Sequence, residues 1–298
     1  MTDYDFAFVD VFADEPLAGN ALPVVPHADG LSRSQRQAIA REFNQPETTF
    51  VSAATRAGAD AWLQSFTPTG DEVTGAGHNA LGAWLWLAIS GTLPPDRSEF
   101  VQQLGEHLLD VRVERTGSGS PVVTLTQAPP VFLAELGDTG PVADALGIAP
   151  DRVTGAARVV STGVAHLLVP VNDRTAVDAA RPSPRNLAAT LTDVGAQGCY
   201  LYTTAAEPGG QQTDAYARFF NPGVGIWEDP ATGSAAGPLA AHLATGRNGA
   251  TRWVIEQGTA IGRRSLLRVQ VDGSSVRLCG RGTLTIDGTL HLAEERNL

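Results

Sequence analysis

The stretch at residues 220–243 decides the fold prediction, because the chain carries a version of it twice. It reads FNPGVGIWEDPATGSAAGPLAAHL, a Pro/Gly turn and acidic residues that lead into an apolar helix. The earlier copy, at residues 66–88, reads FTPTGDEVTGAGHNALGAWLWLA. The residues shared by the two copies pair as Phe66 with Phe220, Pro68 with Pro222, Glu72 with Glu228, Gly77 with Gly233 and Ala80 with Ala236. We therefore predict a duplicated chain with two related halves.

In each copy a polar residue follows a glycine at the predicted helix start. That residue is His78 in the first copy and Ser234 in the second. The first turn of a helix carries unpaired backbone N–H groups and the positive end of the helix dipole. Each copy therefore predicts an anion site, and two such helix starts facing each other would clamp a small anion.

Composition predicts a globular, acidic protein. The 298 residues are 43% hydrophobic and 18% charged, and a repeat near half the length favours two domains. The net charge of −11 argues against nucleic acid or an anionic membrane as a partner. The opening residues lack the basic-then-apolar pattern of a signal peptide, and no run of about 20 apolar residues could span a bilayer. We expect a cytoplasmic protein.

The absence of lysine excludes several classes of enzyme. All 21 basic residues are arginine, and pyridoxal-phosphate enzymes, Schiff-base aldolases and Walker-type nucleotide sites need a lysine. No G-x-G-x-x-G fingerprint predicts a dinucleotide site, and the six histidines lack metal-ligand spacing. Cys199 and Cys279 fall in strand-like runs, which suits buried apolar roles. We expect neither a cofactor nor a metal.

Strands outnumber helices in the predicted secondary structure, and each half contains one long apolar helix. Ser32 and Gln35 form a capping-box pattern at the start of a further helix. Residues 284–286 and 290–292 are predicted as two separate strands at the end of the chain. The pattern indicates an α+β fold, without the βαβαβ alternation of a Rossmann sheet.

Glu47 is the candidate general acid/base. It stands at a predicted strand start after Pro46, which fixes the backbone, and partial burial would raise its pKa toward the range useful for proton transfer. A solvated glutamate at a strand end is the alternative. His78 could donate a hydrogen bond to substrate or act as a second acid/base group, or it could simply cap a buried helix.

Asp229 and Ser234 flank a run of small residues at 230–233, which indicates that something approaches the backbone closely. A structural cap formed by Thr232 or Ser234 is the alternative. His78, Asp229 and Ser234 could also be read as a hydrolase triad, but no G-x-S-x-G elbow supports that reading.

At these residues the chain resembles the phenazine-biosynthesis isomerase family (PhzF-like), which is related to diaminopimelate epimerases and proline racemases. The resemblance covers nearly the whole chain. The motifs that carry it are Asp10-Val11-Phe12, Gly19-Asn20, Glu42-Phe43-Asn44, Glu47-Thr48, Phe66-Thr67-Pro68, Gly77-His78, Glu228-Asp229-Pro230-Ala231-Thr232-Gly233-Ser234-Ala235, Glu256-Gln257-Gly258 and Gly262-Arg263.

The resemblance implies two pseudo-symmetric α+β domains, each a curled, mostly antiparallel sheet around a central helix, as in diaminopimelate epimerase. It implies homodimers, cofactor-free chemistry and an active site in the cleft between the domains. We place the first domain at residues 1–127, rejoined by 284–298, and the second at 128–283, with Ala128-Pro129-Pro130 as the linker.

Carried over residue by residue, the resemblance makes Glu47 the general acid/base. The other positions that match the family's active site are His78, Asp229 and Ser234, which we expect to be catalytic. We further expect substrate to be bound by Gly77, Asn79, Thr232, Gly233 and Ala235. Related epimerases and racemases instead use a cysteine at each of the two helix starts, and neither cysteine of this chain lies there. The sequence departs from the common family pattern at Asn79, Trp227 and Gln45-Pro46. These departures bear on the identity of the substrate more than on the type of reaction.

We therefore hypothesise a cofactor-independent isomerase that moves a proton between carbons of a small carboxylate-bearing substrate. Isomerisation of trans-2,3-dihydro-3-hydroxyanthranilate is the family's named reaction. The alternatives are an epimerase or lyase acting on an amino-acid derivative, or a non-catalytic protein that binds a small molecule.

Overall fold

In the computed structural model, residues 2–73, 75, 77–115, 120–206 and 213–293 are described. The chain divides into two units: unit 1 is Met1–Leu125 with Gly280–Leu298, and unit 2 is Thr126–Cys279. The described residues form a mixed α and β protein with six α-helices. No helix among them has both the length and the apolar character needed to cross a membrane.

Unit 1 contains two helices, the first seven strands, most of the eighth strand and the last strand. The helices are α1 (Arg33–Phe43) and α2 (His78–Ile89). The strands are β1 (Thr2–Val11), β2 (Asn20–Val25), β3 (Thr48–Ser52), β4 (Ala61–Phe66), β5 (Glu72–Val73), β6 (Glu99–Leu104), β7 (His107–Glu114), β8 (Val122–Gln127), which crosses the unit boundary, and β18 (Gly282–Leu292). Their order in the sheet is β18-β1-β2-β3-β4-β6-β7-β8, with β5 paired to β4.

The residues of unit 1 explain why the helices lie where they do. Ser32 and Gln35 form the predicted capping box at the start of α1. At the end of α1, Phe43 packs against Phe6 and Phe8, with ring centroids 5.0 and 5.4 Å apart. The α2 helix is buried along most of its length, which fits its nearly uniform apolar sequence.

Unit 2 contains four helices and the remaining strands. The helices are α3 (Gly140–Leu146), α4 (Arg174–Ala179), α5 (Pro184–Val194) and α6 (Gly233–Leu243). The strands are β9 (Val131–Leu136), β10 (Ala157–Ser161), β11 (Ala165–Pro170), β12 (Gly198–Thr203), β13 (Ala215–Asn221), β14 (Ile226–Asp229), β15 (Thr251–Gln257), β16 (Ser265–Asp272) and β17 (Ser275–Gly280). Their order is β9-β10-β11-β12-β13-β15-β16-β17, with β14 paired to β13.

The two units repeat the same sequence of strand pairings. In each, two antiparallel pairs are followed by a parallel, an antiparallel and a parallel pair, and then by two more antiparallel pairs. Phe66 and Phe220, the anchors of the sequence repeat, lie opposite Thr48 and Cys199 at equivalent strand positions. The sequence repeat is thus a repeat of strand order.

The strand predictions need correction in two respects. The last two predicted strands are one strand of 11 residues, β18, because residues 287–289 continue its pairing with β1. The sequence reading also misses four strands: β5 and β14, which have only two and four residues, and the longer β6 and β9. In β6 the buried residues include Gln102, which accepts a hydrogen bond from the indole of Trp84 at 2.9 Å, so the apolar alternation is broken. Nearly every residue of β9 is exposed, so that strand carries no burial pattern to read.

Candidate active site

Glu47 and His78 lie together in unit 1. Glu47 immediately precedes β3, one residue outside the strand that was predicted to begin with it. His78 is the first residue of α2. Its Nδ1 is 3.8 Å from Oε2 of Glu47, and the two side chains are 11% and 20% exposed. A strand start and a helix start therefore bring a carboxylate and an imidazole close together.

The imidazole of His78 is neutral at pH 7. Burial lowers its pKa to about 4, because desolvation disfavours the charged ring. The separation of 3.8 Å falls within ion-pair range, yet burial dominates, so the contact joins a carboxylate to a neutral ring. Nε2 of His78 is buried and has no hydrogen-bond partner in the described part of the chain. A buried nitrogen of that kind is suited to a hydrogen bond with a ligand.

Asn79 holds the loop that precedes α2. Its Nδ2 donates to the carbonyl of Gly75 at 3.0 Å and to Oγ of Ser65 at 3.1 Å, while its Oδ1 accepts from the N–H of Gly77 at 2.7 Å. Only 2% of Asn79 is exposed. These contacts fix the backbone beside His78, and the role of Asn79 in binding substrate stays a prediction.

Asp229 belongs to a buried hydrogen-bond network in unit 2. Oγ1 of Thr232 donates to Oδ2 of Asp229 at 2.5 Å. Nε2 of Gln257 donates to the carbonyl of Asp229 at 2.7 Å and to Oγ1 of Thr232 at 3.1 Å. Its Oε1 accepts from the N–H of Thr232 at 3.2 Å and from the hydroxyl of Tyr200 at 2.9 Å. Burial, and to a smaller extent the charge of Asp229, raises the pKa of Tyr200. The hydroxyl of Tyr200 therefore stays protonated and can donate a hydrogen bond.

Thr232 occupies the N-cap position of α6, but its side chain does not cap the helix. Its hydroxyl is directed at Asp229 instead, which fixes one carboxylate oxygen. The alternative in which Thr232 is only a helix cap is therefore wrong for its side chain. A threonine three residues after an aspartate can orient that carboxylate for binding.

Ser234 is paired with a histidine that the sequence reading left without a role. Its Oγ is 3.0 Å from Nε2 of His166, which lies on β11. Burial lowers the pKa of His166 to about 4, so this ring is also neutral at pH 7. Nδ1 of His166 lacks a partner among the described residues, so no carboxylate there completes a Ser-His-Asp triad.

The remaining expected binding residues are backbone elements of the helix starts. The carbonyl of Gly233 accepts from Nε2 of Gln127 at 2.9 Å. Ala235 is fully buried and its N–H donates to the carbonyl of Thr232 at 3.1 Å. Gly77 is the N-cap residue of α2. The first turns of α2 and α6 are thus held in place by side chains.

Both cysteines are buried, and the described ranges contain no cluster of metal-ligating side chains. Cys199 is fully buried and Cys279 is 6% exposed, and neither forms a disulfide bond. Burial raises the pKa of Cys199. No group of three or more His, Cys, Asp or Glu side chains in these ranges could hold a metal ion.

The comparison with known families matches this chain over nearly its full length. The family described as phenazine biosynthesis-like protein matches residues 9–288. The chain belongs to this family. A trans-2,3-dihydro-3-hydroxyanthranilate isomerase of Pseudomonas chlororaphis is 34% identical over 95% of the chain and 100% of its own length. The uncharacterized isomerase YddE of Escherichia coli K12 is 31% identical, with 94% and 93% covered.

Several solved structures share the fold. A PhzF-family phenazine biosynthesis protein of Bacillus anthracis covers 98% of this chain and 100% of its own, with a TM-score of 0.89 and 22% identity. A predicted epimerase of Pseudomonas aeruginosa covers 97% and 100%, with a TM-score of 0.80 and 32% identity. A hydroxyproline epimerase of Agrobacterium vitis has a TM-score of 0.61 and 16% identity. The resemblance inferred from the motifs is confirmed, and the chain is an enzyme of the isomerase class.

Proposed function

We propose that the chain is a cofactor-independent isomerase that moves a proton between two carbons of a small carboxylate-bearing substrate. Glu47 acts as general base and then as general acid. Its carboxylate takes a proton from an activated carbon, and the resulting carboxylic acid returns a proton to another carbon of the conjugated system. No electron is gained or lost overall.

The observation that carries this proposal is the pairing of Glu47 with a neutral His78. A charged imidazolium 3.8 Å away would stabilise the carboxylate and lower its basicity. Because burial holds the pKa of His78 near 4, that penalty is absent at pH 7. The neutral ring instead presents a nitrogen to a polar group of the substrate, as preorganised groups do in other enzymes.

Asp229 and Ser234 are proposed to bind polar groups of the same substrate. Asp229 is held through Thr232 and Gln257, which supports a fixed acceptor. The hydroxyl of Ser234 stands in the first turn of α6, where the helix dipole favours an anionic group. Such groups would stabilise charge that develops as the proton leaves carbon. We also propose that the protein forms a homodimer, as expected for the family.

The substrate named for the Pseudomonas chlororaphis relative is the first compound to test, and an epimerase reaction is the second candidate. The second candidate is favoured by the Pseudomonas aeruginosa relative described as a predicted epimerase. A two-thiol epimerase mechanism is opposed by the burial of Cys199 and Cys279. Glu47 would then have to return the proton to the opposite face of the carbon that it deprotonates, because return to the same face regenerates the substrate.

Turnover of trans-2,3-dihydro-3-hydroxyanthranilate, followed by NMR, tests the proposal. Wild type should convert it, and Glu47→Gln, which keeps the shape of the side chain but cannot take up a proton, should be slower by about 10²- to 10⁴-fold. Glu99→Gln changes an exposed glutamate of β6 and serves as the matched control. Turnover by Glu47→Gln equal to that of the control would refute Glu47 as the acid/base. If the compound is inert, a panel of cyclic and amino-acid carboxylates extends the same comparison.

A further inference from the structure

His166 is a buried polar residue that the proposed reaction does not yet use. It is 2% exposed, its Nε2 is 3.0 Å from Oγ of Ser234, and its ring packs edge-on against Phe219 with centroids 5.1 Å apart at 87°. The packing against Phe219 fixes the ring plane. The ring therefore meets α6 at Ser234, the residue proposed to bind substrate.

The equivalent position in unit 1 is an apolar residue. Leu22 lies opposite Val9 in the β1–β2 pair, and His166 lies opposite Val160 in the β10–β11 pair. Two residues further along, each strand pairs in parallel with its next neighbour, at Val24–Thr49 and Leu168–Tyr200.

Leu22 is fully buried and packs against the central helix of its own unit, since a Cβ built at Gly82 would lie 2.5 Å from its Cδ2. The fold therefore accepts leucine at this place, and packing alone does not require a histidine.

The surroundings of the two ring nitrogens of His166 indicate which of them carries the hydrogen. Nδ1 of His166 is buried without a partner among the described residues, while Nε2 faces Oγ of Ser234. A buried N–H without an acceptor is rarer in proteins than a buried acceptor without a donor. The favoured tautomer thus carries its hydrogen on Nε2, which donates to Oγ of Ser234. The hydroxyl hydrogen of Ser234 is then left to donate elsewhere.

We propose that His166 is a positioning residue that turns the hydroxyl of Ser234 into a donor toward an anionic oxygen of the substrate. This rests on the proposed function of Ser234. With Nε2–H on one side, Oγ receives a hydrogen bond and can give its own hydrogen only to a second acceptor. The other tautomer would draw the hydroxyl hydrogen toward the ring and present the substrate with a lone pair, which repels an anion.

The tautomer can be measured without any substrate. In full-length protein labelled with ¹⁵N, long-range ¹H–¹⁵N spectra at pH 7 distinguish protonated from unprotonated ring nitrogens. The resonances of His166 are those that disappear in His166→Leu. We expect a protonated Nε2 and an unprotonated Nδ1. A protonated Nδ1 would overturn the proposal whatever reaction the enzyme catalyses.

Turnover of trans-2,3-dihydro-3-hydroxyanthranilate gives the second test. Ser234→Ala should lower kcat by about 10²-fold, as loss of a donor to a developing anion does. His166→Leu, which copies Leu22, should lower kcat by about 5- to 10-fold, the value of one neutral hydrogen bond, with a smaller change in KM. His166→Gln can donate from its amide at a similar place and should recover most of that loss.

The double variant separates positioning from packing. If His166 acts through Ser234, then His166→Leu has no further effect on kcat in a chain that already carries Ser234→Ala. Multiplied effects in the double variant, or unchanged kcat in His166→Leu, would overturn the proposal. Wild-type activity in Glu47→Gln would instead refute the proposed reaction, and the tautomer measurement would still decide the contact between His166 and Ser234.

Discussion

Replacing Gln257 by leucine should destabilise unit 2 strongly, because this amide is the centre of a buried network. Gln257 is fully buried and makes four hydrogen bonds, at 2.7, 2.9, 3.1 and 3.2 Å. Leucine fills a similar volume but leaves the hydroxyl of Tyr200, the N–H of Thr232 and the carbonyl of Asp229 without this partner. At about 1 to 2 kcal/mol for each buried group, the free energy of unfolding should fall by about 4 kcal/mol.

Urea unfolding followed by tryptophan fluorescence at pH 7 measures this loss. Gln270→Leu is the matched control, since it changes a half-buried glutamine of the adjacent strand β16, and it should cost less than about 1 kcal/mol. Tyr200→Phe removes a single donor from the network and should cost about 1 kcal/mol. A loss in Gln257→Leu equal to that of the Gln270 control would refute the importance of the network.

Three further predictions concern other buried groups. Gly237→Ala should destabilise by about 1 kcal/mol despite its better helix propensity, because the new Cβ would lie 1.7 Å from Oε1 of Gln127. In a chain that already carries Gln127→Ala, which itself removes the hydrogen bond to Gly233, the same change should cost nothing further, and an equal loss in urea unfolding would contradict the clash. His78 and His166 each have a pKa near 4 in the folded protein, against a reference value of 6.5. Between these two values the unfolded chain binds more protons than the folded protein. The free energy of unfolding should therefore fall as the pH drops from 6.5 to 4, by up to about 3 kcal/mol for each histidine. His166→Leu should lose that much less over the same range, and an identical pH profile would exclude burial of a neutral His166. Cys199 should resist iodoacetamide in the native enzyme and react in urea, as peptide mass spectrometry would reveal; native labelling would contradict its burial.

The sequence predicted those helices and strands whose characteristic residues lie close together in the chain. The capping box of Ser32 and Gln35 needs only four residues, and it starts α1 as predicted. The apolar helix after His78 is visible because it is buried nearly all round. The repeat anchored by Phe66 and Phe220 is visible as a pattern of residues, and the structure adds that it is a repeat of strand order.

The supports of the candidate site could not be read in this way, because they act over long separations in sequence. Gln257 stands in a motif that the family resemblance included, but its partner Tyr200 is 57 residues away. His166 is 68 residues from Ser234. The available signal for His166 was its comparison with Leu22, since Gly163-Val164-Ala165 before His166 resembles Gly19-Asn20-Ala21 before Leu22. A polar residue at an apolar position of a repeat is a reason to look for a partner.

Proton exchange with solvent tests the central claim most directly. Wild type and Glu47→Gln are each incubated with trans-2,3-dihydro-3-hydroxyanthranilate in deuterated buffer, and ¹H NMR follows the hydrogens on carbon. A carboxyl that carries the proton between two carbons can exchange it with solvent, so we expect deuterium in the product with wild type and none with Glu47→Gln. Equal incorporation of deuterium by both proteins would contradict the assignment of Glu47 as the acid/base.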